Sequence, residues 1–294
     1  MNPTKEKILQ YHLHKDSPKK LQFELYGLNR YRRKNGIKAA IPHSHSYYQI
    51  IWFTKKGGTH LVDFKTYPVT ENSILFIGKN QIHAFDDDMD IEGWLFHFNE
   101  SFFTPADVDA VLKYNIFKPQ ENPCYAAQDY AIAQSKKYLD LIQDELSNRN
   151  RFGFEENVRF LLKSFLINLE RVHRTGNDSE ELEISNPQKL QAYNFKASVE
   201  ENYTSHLTVA DYASELNIST KTLNNLVRTQ FSKSPSEVIN ERIMLQANRL
   251  LKYSNLQISE IAYKLGFSDP SYFVKYFKRY MGASPNSHRE FLKK

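Results

Sequence analysis

Pro42-His43-Ser44-His45 places two imidazoles at alternate positions of a segment that continues through Tyr47, Tyr48 and Gln49. On an extended strand residues 43, 45, 47 and 49 share one face, so His43 and His45 can point together into one interior. Imidazole is the commonest metal ligand among side chains and, when neutral, also a hydrogen-bond donor and acceptor. These histidines carry the only candidate catalytic chemistry of the chain. Three readings stand open: a pocket that hydrogen-bonds a small organic effector, which is favoured; a bound metal; and histidines that fill a core or line a rim. A second set of residues lies towards the C-terminus. Thr220, Lys221, Asn224, Asn225 and Arg228 fall at helical spacing, and Ser271, Val274, Lys275 and Lys278 do so about fifty residues on. Lys can donate to guanine O6 and N7, Asn can pair bidentately with adenine, and Val274 can touch only a thymine methyl. The two sets should therefore prefer different sequences. Arg228, Lys278 and Arg279 lie further along and are placed to meet phosphates, which position a protein without specifying a site.

The elements that must hold this second set are written twice. Thr208-Val-Ala-Asp-Tyr-Ala-Ser-Glu-Leu-Asn-Ile-Ser219 matches Gln257-Ile-Ser-Glu-Ile-Ala-Tyr-Lys-Leu-Gly-Phe-Ser268, and Ser234-Pro235 matches Ser284-Pro285. Thr208 with Asp211 makes a capping box, Asp standing in for the usual Glu. Val209, Ala213 and Leu216 form one apolar face, and the small Ala213 lets another helix cross closely. Asn217 and Gly266 sit where the chain turns through a left-handed conformation. Ser219 and Asp269-Pro270 then start the second helix of each unit. Its apolar residues face inward (Leu223, Leu226, Val227; Phe273, Tyr276, Phe277) and its polar residues are left for a partner. Each copy is thus a helix-turn-helix, and a helix over 236–253 joins them.

The C-terminal part resembles the DNA-binding domain of the AraC/XylS family of bacterial transcription regulators. The resemblance rests on Ile258-Ser-Glu-Ile-Ala262, Gly266-Phe267-Ser-Asp269, Ser271-Tyr-Phe273, Phe277-Lys278 and Gly282-Ala-Ser-Pro285. It implies two reading heads held apart by the joining helix. Eighteen residues at about 1.5 Å each give about 27 Å, of the order of one DNA turn of about 34 Å. Charge is distributed accordingly. Residues 186–294 hold 15 Lys+Arg against 9 Asp+Glu, so the +5 of the whole chain belongs to this part, as phosphate neutralisation requires.

At 294 residues the chain has room for two domains with a buried core in each. The single cysteine, Cys124, excludes an intramolecular disulfide and points to a reducing cytoplasm. No apolar run has signal-peptide or bilayer-crossing length, so neither export nor a membrane partner is expected.

Residues 21–103 read as short strands separated by turns: 48–53, 60–64, 73–77 and 93–98, with Gly57-Gly58 and Gly78-Lys79-Asn80 between them. This pattern predicts a small antiparallel barrel or jelly roll. The Pro42–Gln49 segment followed by Asn80-Gln81-Ile82-His83 resembles the cupin-type sensor domain often found ahead of AraC reading heads. A metal-binding cupin uses two such histidines, a Glu four residues on and a later histidine. Here Gln49 takes the place of the Glu and His83 that of the later histidine. Loss of the carboxylate weakens a site for hard divalent ions, although three neutral imidazoles can still hold zinc. The expected ligand-binding residues are therefore His43, His45, Gln49, His83 and Trp94, with His97 beside Trp94. His60 reads as an ordinary polar strand residue. No metal and no cofactor is expected; a metal, if bound, would take His43, His45 and His83.

Two helices are predicted over 131–148 and 155–174. The second carries Val158, Leu162, Phe165, Leu169 and Val172 in alternating steps of four and three, the seam of a helix pair. It reads as a homodimer interface, with packing inside its own chain as the alternative. The expected organisation is α+β in two domains: a cupin-like antiparallel β-barrel (jelly roll) over 1–130, a helical dimerisation segment over 131–174, a polar linker over 175–187, and an all-α double helix-turn-helix domain over 188–294. Together these describe a sequence-specific transcription regulator, not an enzyme, with double-stranded DNA, a second copy of itself, a small-molecule effector and possible RNA polymerase as partners. Two rival readings are a metal-dependent cupin enzyme with a helical tail, disfavoured by Gln49, and a regulator without a ligand.

Overall fold

The structure is a computed structural model that describes residues 8–17, 20–86, 91–104, 107, 114, 116, 124–127, 129–175 and 187–293. The chain divides into two compact units, 9–181 and 182–294 with the first eight residues. The expected linker over 175–187 falls almost wholly outside the described residues.

The first unit is built on two five-stranded sheets. One contains β1 (Leu9–Tyr11), β3 (His43–His45), β8 (His83–Phe85), β5 (Thr59–Val62) and β6 (Lys65–Pro68), in that order. The other contains β10 (Cys124–Ala126), β7 (Ser73–Ile77), β4 (Tyr48–Phe53), β9 (Gly93–Phe98) and β2 (Phe23–Gly27). The sheets face each other across a shared apolar layer that includes Val62 and Phe85 from one and Ile51, Leu75 and Leu95 from the other. The α+β class holds, with two departures from the expected antiparallel barrel. Among the described residues the sheets do not close edge to edge, and β1 runs parallel to β3. The chain also leaves one sheet for the other at Ser46–Tyr47, so His43 and Gln49 are not on one strand as the alternation suggested.

Helix α1 (Leu28–Ala40), which the sequence pattern did not announce, follows β2 and is kinked at Gly36, where φ is +31°. Helices α2 (Asp129–Ser147) and α3 (Phe154–Thr175) cover the outer face of the second sheet. Ile50, Trp52, Phe96 and Phe98 point outward there and bury Val158, Leu162, Phe165 and Leu169 of α3. The apolar seam of this helix is thus satisfied within its own chain. Its residues are not left for a second copy, and this corrects the dimer-interface reading of the stripe.

The second unit is all-α: α4 (Pro187–Asn202), α5 (Val209–Glu215), α6 (Thr220–Phe231), α7 (Pro235–Tyr253), α8 (Ile258–Lys264), α9 (Pro270–Met281) and α10 (Pro285–Leu292). Local sequence sets each start. The Thr208 hydroxyl accepts from the Asp211 amide at 3.2 Å while the Asp211 carboxylate accepts from the Thr208 amide at 2.7 Å. Ser234 and Glu237 repeat the box ahead of α7, and Pro235, Pro270 and Pro285 occupy the first turns of their helices. A single core runs through both helix-turn-helix units, from Phe195, Tyr212 and Leu223 through Ile243, Ala247 and Leu251 of α7 to Ile261, Phe273 and Phe277.

Candidate nucleic-acid interface and buried histidine site

Helix α6 buries Leu223, Leu226 and Val227 and exposes Thr220, Lys221, Asn225 and Arg228. Helix α9 buries Phe273 and Phe277 and exposes Ser271, Lys275, Lys278 and Arg279. Two positions on the outward faces are only half exposed. The Asn224 side chain donates to the Thr220 carbonyl at 2.8 Å, so it must release its own helix before it can pair with a base. Val274 presents part of its isopropyl group beside Lys275. Tyr272 and Tyr263 are strongly exposed on the second helix-turn-helix, large amphipathic side chains that the spacing of Lys and Asn does not single out.

What fixes the two faces is the geometry of α7. Its nineteen residues span about 28 Å at about 1.5 Å each. Arg242, buried to 5 % exposure, donates Nη2 to Glu200 of α4 at 2.7 Å and lies 3.9 Å over the Tyr203 ring. Burial works against its charge, but Glu200 more than compensates and raises its pKa. At the other end, Asn240 donates to the Tyr280 hydroxyl at 2.6 Å and accepts from Tyr276, which fastens α9 to α7. The His206 ring bonds the Leu265 carbonyl at 3.0 Å, linking the loop before the first unit to the turn of the second. The two outward faces therefore belong to one rigid body.

The histidines of the first unit converge more than the sequence foretold. His43, His45 and His83 each offer a ring nitrogen, and these atoms lie within 4.8 Å of one another. His45 Nε2 and His83 Nε2 are 2.8 Å apart. His83 Nδ1 lies 3.0 Å from Nε2 of His60, which is fully buried and belongs to the cluster rather than to an ordinary strand surface. His43 donates Nδ1 to the Ile41 carbonyl at 2.7 Å, which leaves its Nε2 as the free nitrogen. His97 stands with its ring centroid 5.9 Å from that of His45. Burial lowers all five pKa values, those of His60 and His97 to about 3; neighbouring imidazoles add to it at His45, His60, His83 and His97, while at His43 the bond to the Ile41 carbonyl opposes it. All five rings are therefore neutral at pH 7. His45 Nδ1, His60 Nδ1, His97 Nε2 and Gln49 Oε1 are buried with no hydrogen-bond partner.

Beside this cluster lies a cavity of about 400 Å³. Tyr11, Tyr26, Tyr31, Tyr47, His43 and His97 wall it, and Glu24, Arg30, Lys34 and Lys38 stand around it from β2 and α1. Of the expected ligand residues His43 reaches this space, while His45 and His83 form the cluster next to it. Gln49 is buried opposite His97 in the strand register. Trp94 is on the other face of β9, packed with the core beneath α2 and α3. Strict alternation along Gly93–Phe98 separates Trp94 from His97, so that pairing misread a signal already present.

Comparison with known proteins bears on the helical unit first. A helix-turn-helix domain model matches residues 212–290. The transcriptional activator RhaS of Escherichia coli O6:H1 is 22% identical over 254 residues, covering 84% of this chain and 87% of RhaS. RhaS of Salmonella schwarzengrund is 23% identical over 262 residues, covering 86% and 89%. These matches support the resemblance to AraC/XylS transcription regulators. The chain is a DNA-binding regulator of transcription, and the helix-turn-helix match falls within its second unit. Among solved structures, ToxT of Vibrio cholerae is 18% identical and covers 93% of this chain and 99% of its own, with a TM-score of 0.40. Among the described residues of the regulator no helix is long and apolar enough to cross a membrane.

Proposed function

We propose that this AraC/XylS-like protein is a cytoplasmic sensor-regulator whose first unit, a cupin-like fold, takes a small polar organic effector, and whose second unit reads two segments of one DNA site. The observation that carries the sensor reading is the cavity of about 400 Å³ walled by tyrosines and neutral histidines in the non-DNA-binding unit. Cavities of this size suit small ligands, and a few convergent polar groups orient them. Thr220, Lys221, Asn224, Asn225, Ser271, Val274 and Lys275 are proposed to meet bases, and Arg228 and Lys278 phosphates. The effector acts by binding one arrangement of the protein better than another, since a ligand indifferent to the two shifts nothing. Homodimerisation is part of this reading. With the α3 seam buried, Leu141 and Phe160 of the helical pair and Phe152 of their connection are exposed apolar side chains open to it. RNA polymerase is the further partner when the site lies beside a promoter, and no catalytic step is assigned to the chain.

The test is selection of genomic DNA fragments by the full chain at near-physiological salt with competitor DNA, with and without a metabolite extract. Enrichment of a site with two segments about one helical turn apart supports the double reading head. Dependence of that enrichment on the extract, abolished when Ala39→Phe fills the cavity, supports the sensor. Sequence-blind binding under both conditions would sink the proposal.

A further inference from the structure

We infer that the cavity of the first unit takes a small hydroxylated anion, a phosphate ester or a carboxylate, whose charged group is gripped by Arg30, Lys34 and Lys38 of α1. This inference rests on the sensor reading above and names the class of effector. Helix α1 is the starting point. Leu28–Ala40 carries five basic residues and no acidic one, so it cannot neutralise itself through pairs of opposite charge one turn apart. Arg30 and Lys34 are instead a like-charged pair at that spacing, an arrangement that weakens an isolated helix. Both line the cavity, and so does Lys38 beyond the kink at Gly36. The other two cations of α1 do not. Arg32 donates to the Asp86 carbonyl at 3.1 Å, and Arg33 is exposed outside the cavity wall.

Among the described residues Glu24 is the only acidic side chain lining the same space. Its carboxylate already accepts from the Tyr26 hydroxyl at 2.5 Å and lies 3.2 Å from His14 Nε2. Among the described residues none of the three lining cations has an ion-pair partner. Three cations against one engaged carboxylate leave an excess of two positive charges around the cavity, and a cleft lined by one sign of charge concentrates ions of the other. The buried part of the wall is of another kind. Tyr11 Oη and His97 Nε2 line it with no hydrogen-bond partner, and His97 is only 3 % exposed. A buried polar atom left unpaired is costly. A phenol or a neutral imidazole pairs with the hydroxyl groups of a ligand, not with an alkyl chain. The site therefore suits a molecule with an anionic end and a hydroxylated body. Arginine and lysine hold phosphate and carboxylate alike through charge-assisted hydrogen bonds.

The experiment is thermal denaturation of the full chain followed by tryptophan fluorescence, with the anionic and neutral fractions of a bacterial metabolite extract as probes. The expected result is a raised midpoint with the anionic fraction and none with the neutral one. Phosphatase treatment of the anionic fraction separates the two sources: a lost effect assigns a phosphate ester, a retained effect a carboxylate. Arg30→Gln and Lys34→Gln alter exposed side chains, and each should raise the amount of fraction required about 10-fold or more. Arg33→Gln should leave it unchanged. Stabilisation by the neutral fraction alone overturns the inference and leaves the sensor reading standing, whereas no stabilisation by either fraction overturns both. An equal loss in Arg33→Gln also overturns it, because the anion would then answer to net charge and not to the cavity.

Discussion

A β-carbon built on Gly266 would sit 1.8 Å from the backbone carbonyl oxygen of Thr204. The turn of the second helix-turn-helix is thus pressed against the loop that leads into the first, and φ at Gly266 is +85°. Both constraints exclude a side chain. Asn217, its counterpart in the first unit, has φ of +54° and tolerates the turn because Asn can adopt it. Gly266→Ala is expected to cost about 2 kcal/mol or more, since left-handed strain alone is of order 1–3 kcal/mol. Amide hydrogen exchange in α8 and α9 should accelerate accordingly, while the first unit is unaffected. Unchanged protection would show that the loop moves aside at no cost.

Base reading by the two exposed helical faces makes a graded prediction. Lys221→Ala and Lys275→Ala should each change the preferred sequence in their own half of the site, at about 1–3 kcal/mol of discrimination. Lys278→Ala should instead weaken binding to every sequence and lower the slope of affinity against salt by about 1. Competition assays on an enriched site at several salt concentrations separate these outcomes. A changed sequence preference in Lys278→Ala would reverse its assignment.

Burial of the α3 seam predicts a stability defect rather than an assembly defect. The Phe165 ring stacks on Phe96 with centroids 4.7 Å apart, and Phe165→Ala is expected to destabilise the first unit by about 3–5 kcal/mol. Phe160, 54 % exposed, should tolerate Ala within about 0.5 kcal/mol. Trp52 and Trp94, the only two tryptophans of the chain, both belong to this unit, so fluorescence-detected denaturation reports on it alone. Near-wild-type stability of Phe165→Ala with loss of self-association would restore the interface reading.

Acid should loosen the same unit. In metal-free protein the folded pKa values of His60 and His97 are near 3 because burial penalises the imidazolium, against about 6.5 when unfolded. Above pH 6.5 both states are neutral and the full stability is present. Between about 6.5 and 3 the unfolded chain binds more protons, so stability falls as pH falls, by up to about 1.4 kcal/mol per pH unit per histidine. Denaturation midpoints by tryptophan fluorescence at pH 7, 6 and 5 should decline, and His60→Gln should reduce the slope. A flat profile would mean that these rings are solvated.

What the sequence determined by itself was the helical unit. Caps such as Thr208–Asp211, the first-turn prolines and the turn residues Asn217 and Gly266 act over three or four residues. Each could be read where it stands, and duplication checked each reading against its copy. Short apolar and aromatic runs likewise located β4, β7 and β9, because a strand buried on both faces declares itself by composition. The tertiary structure decided what touches what. The stripe of α3 stated that one face is buried, but only the second sheet showed against which surface. His60, His83 and His97 lie on strands far apart in the chain and on two different sheets, so no local spacing could gather them with His43 and His45. Their convergence is a property of the sheet packing, and with it comes the buried, neutral state of all five rings.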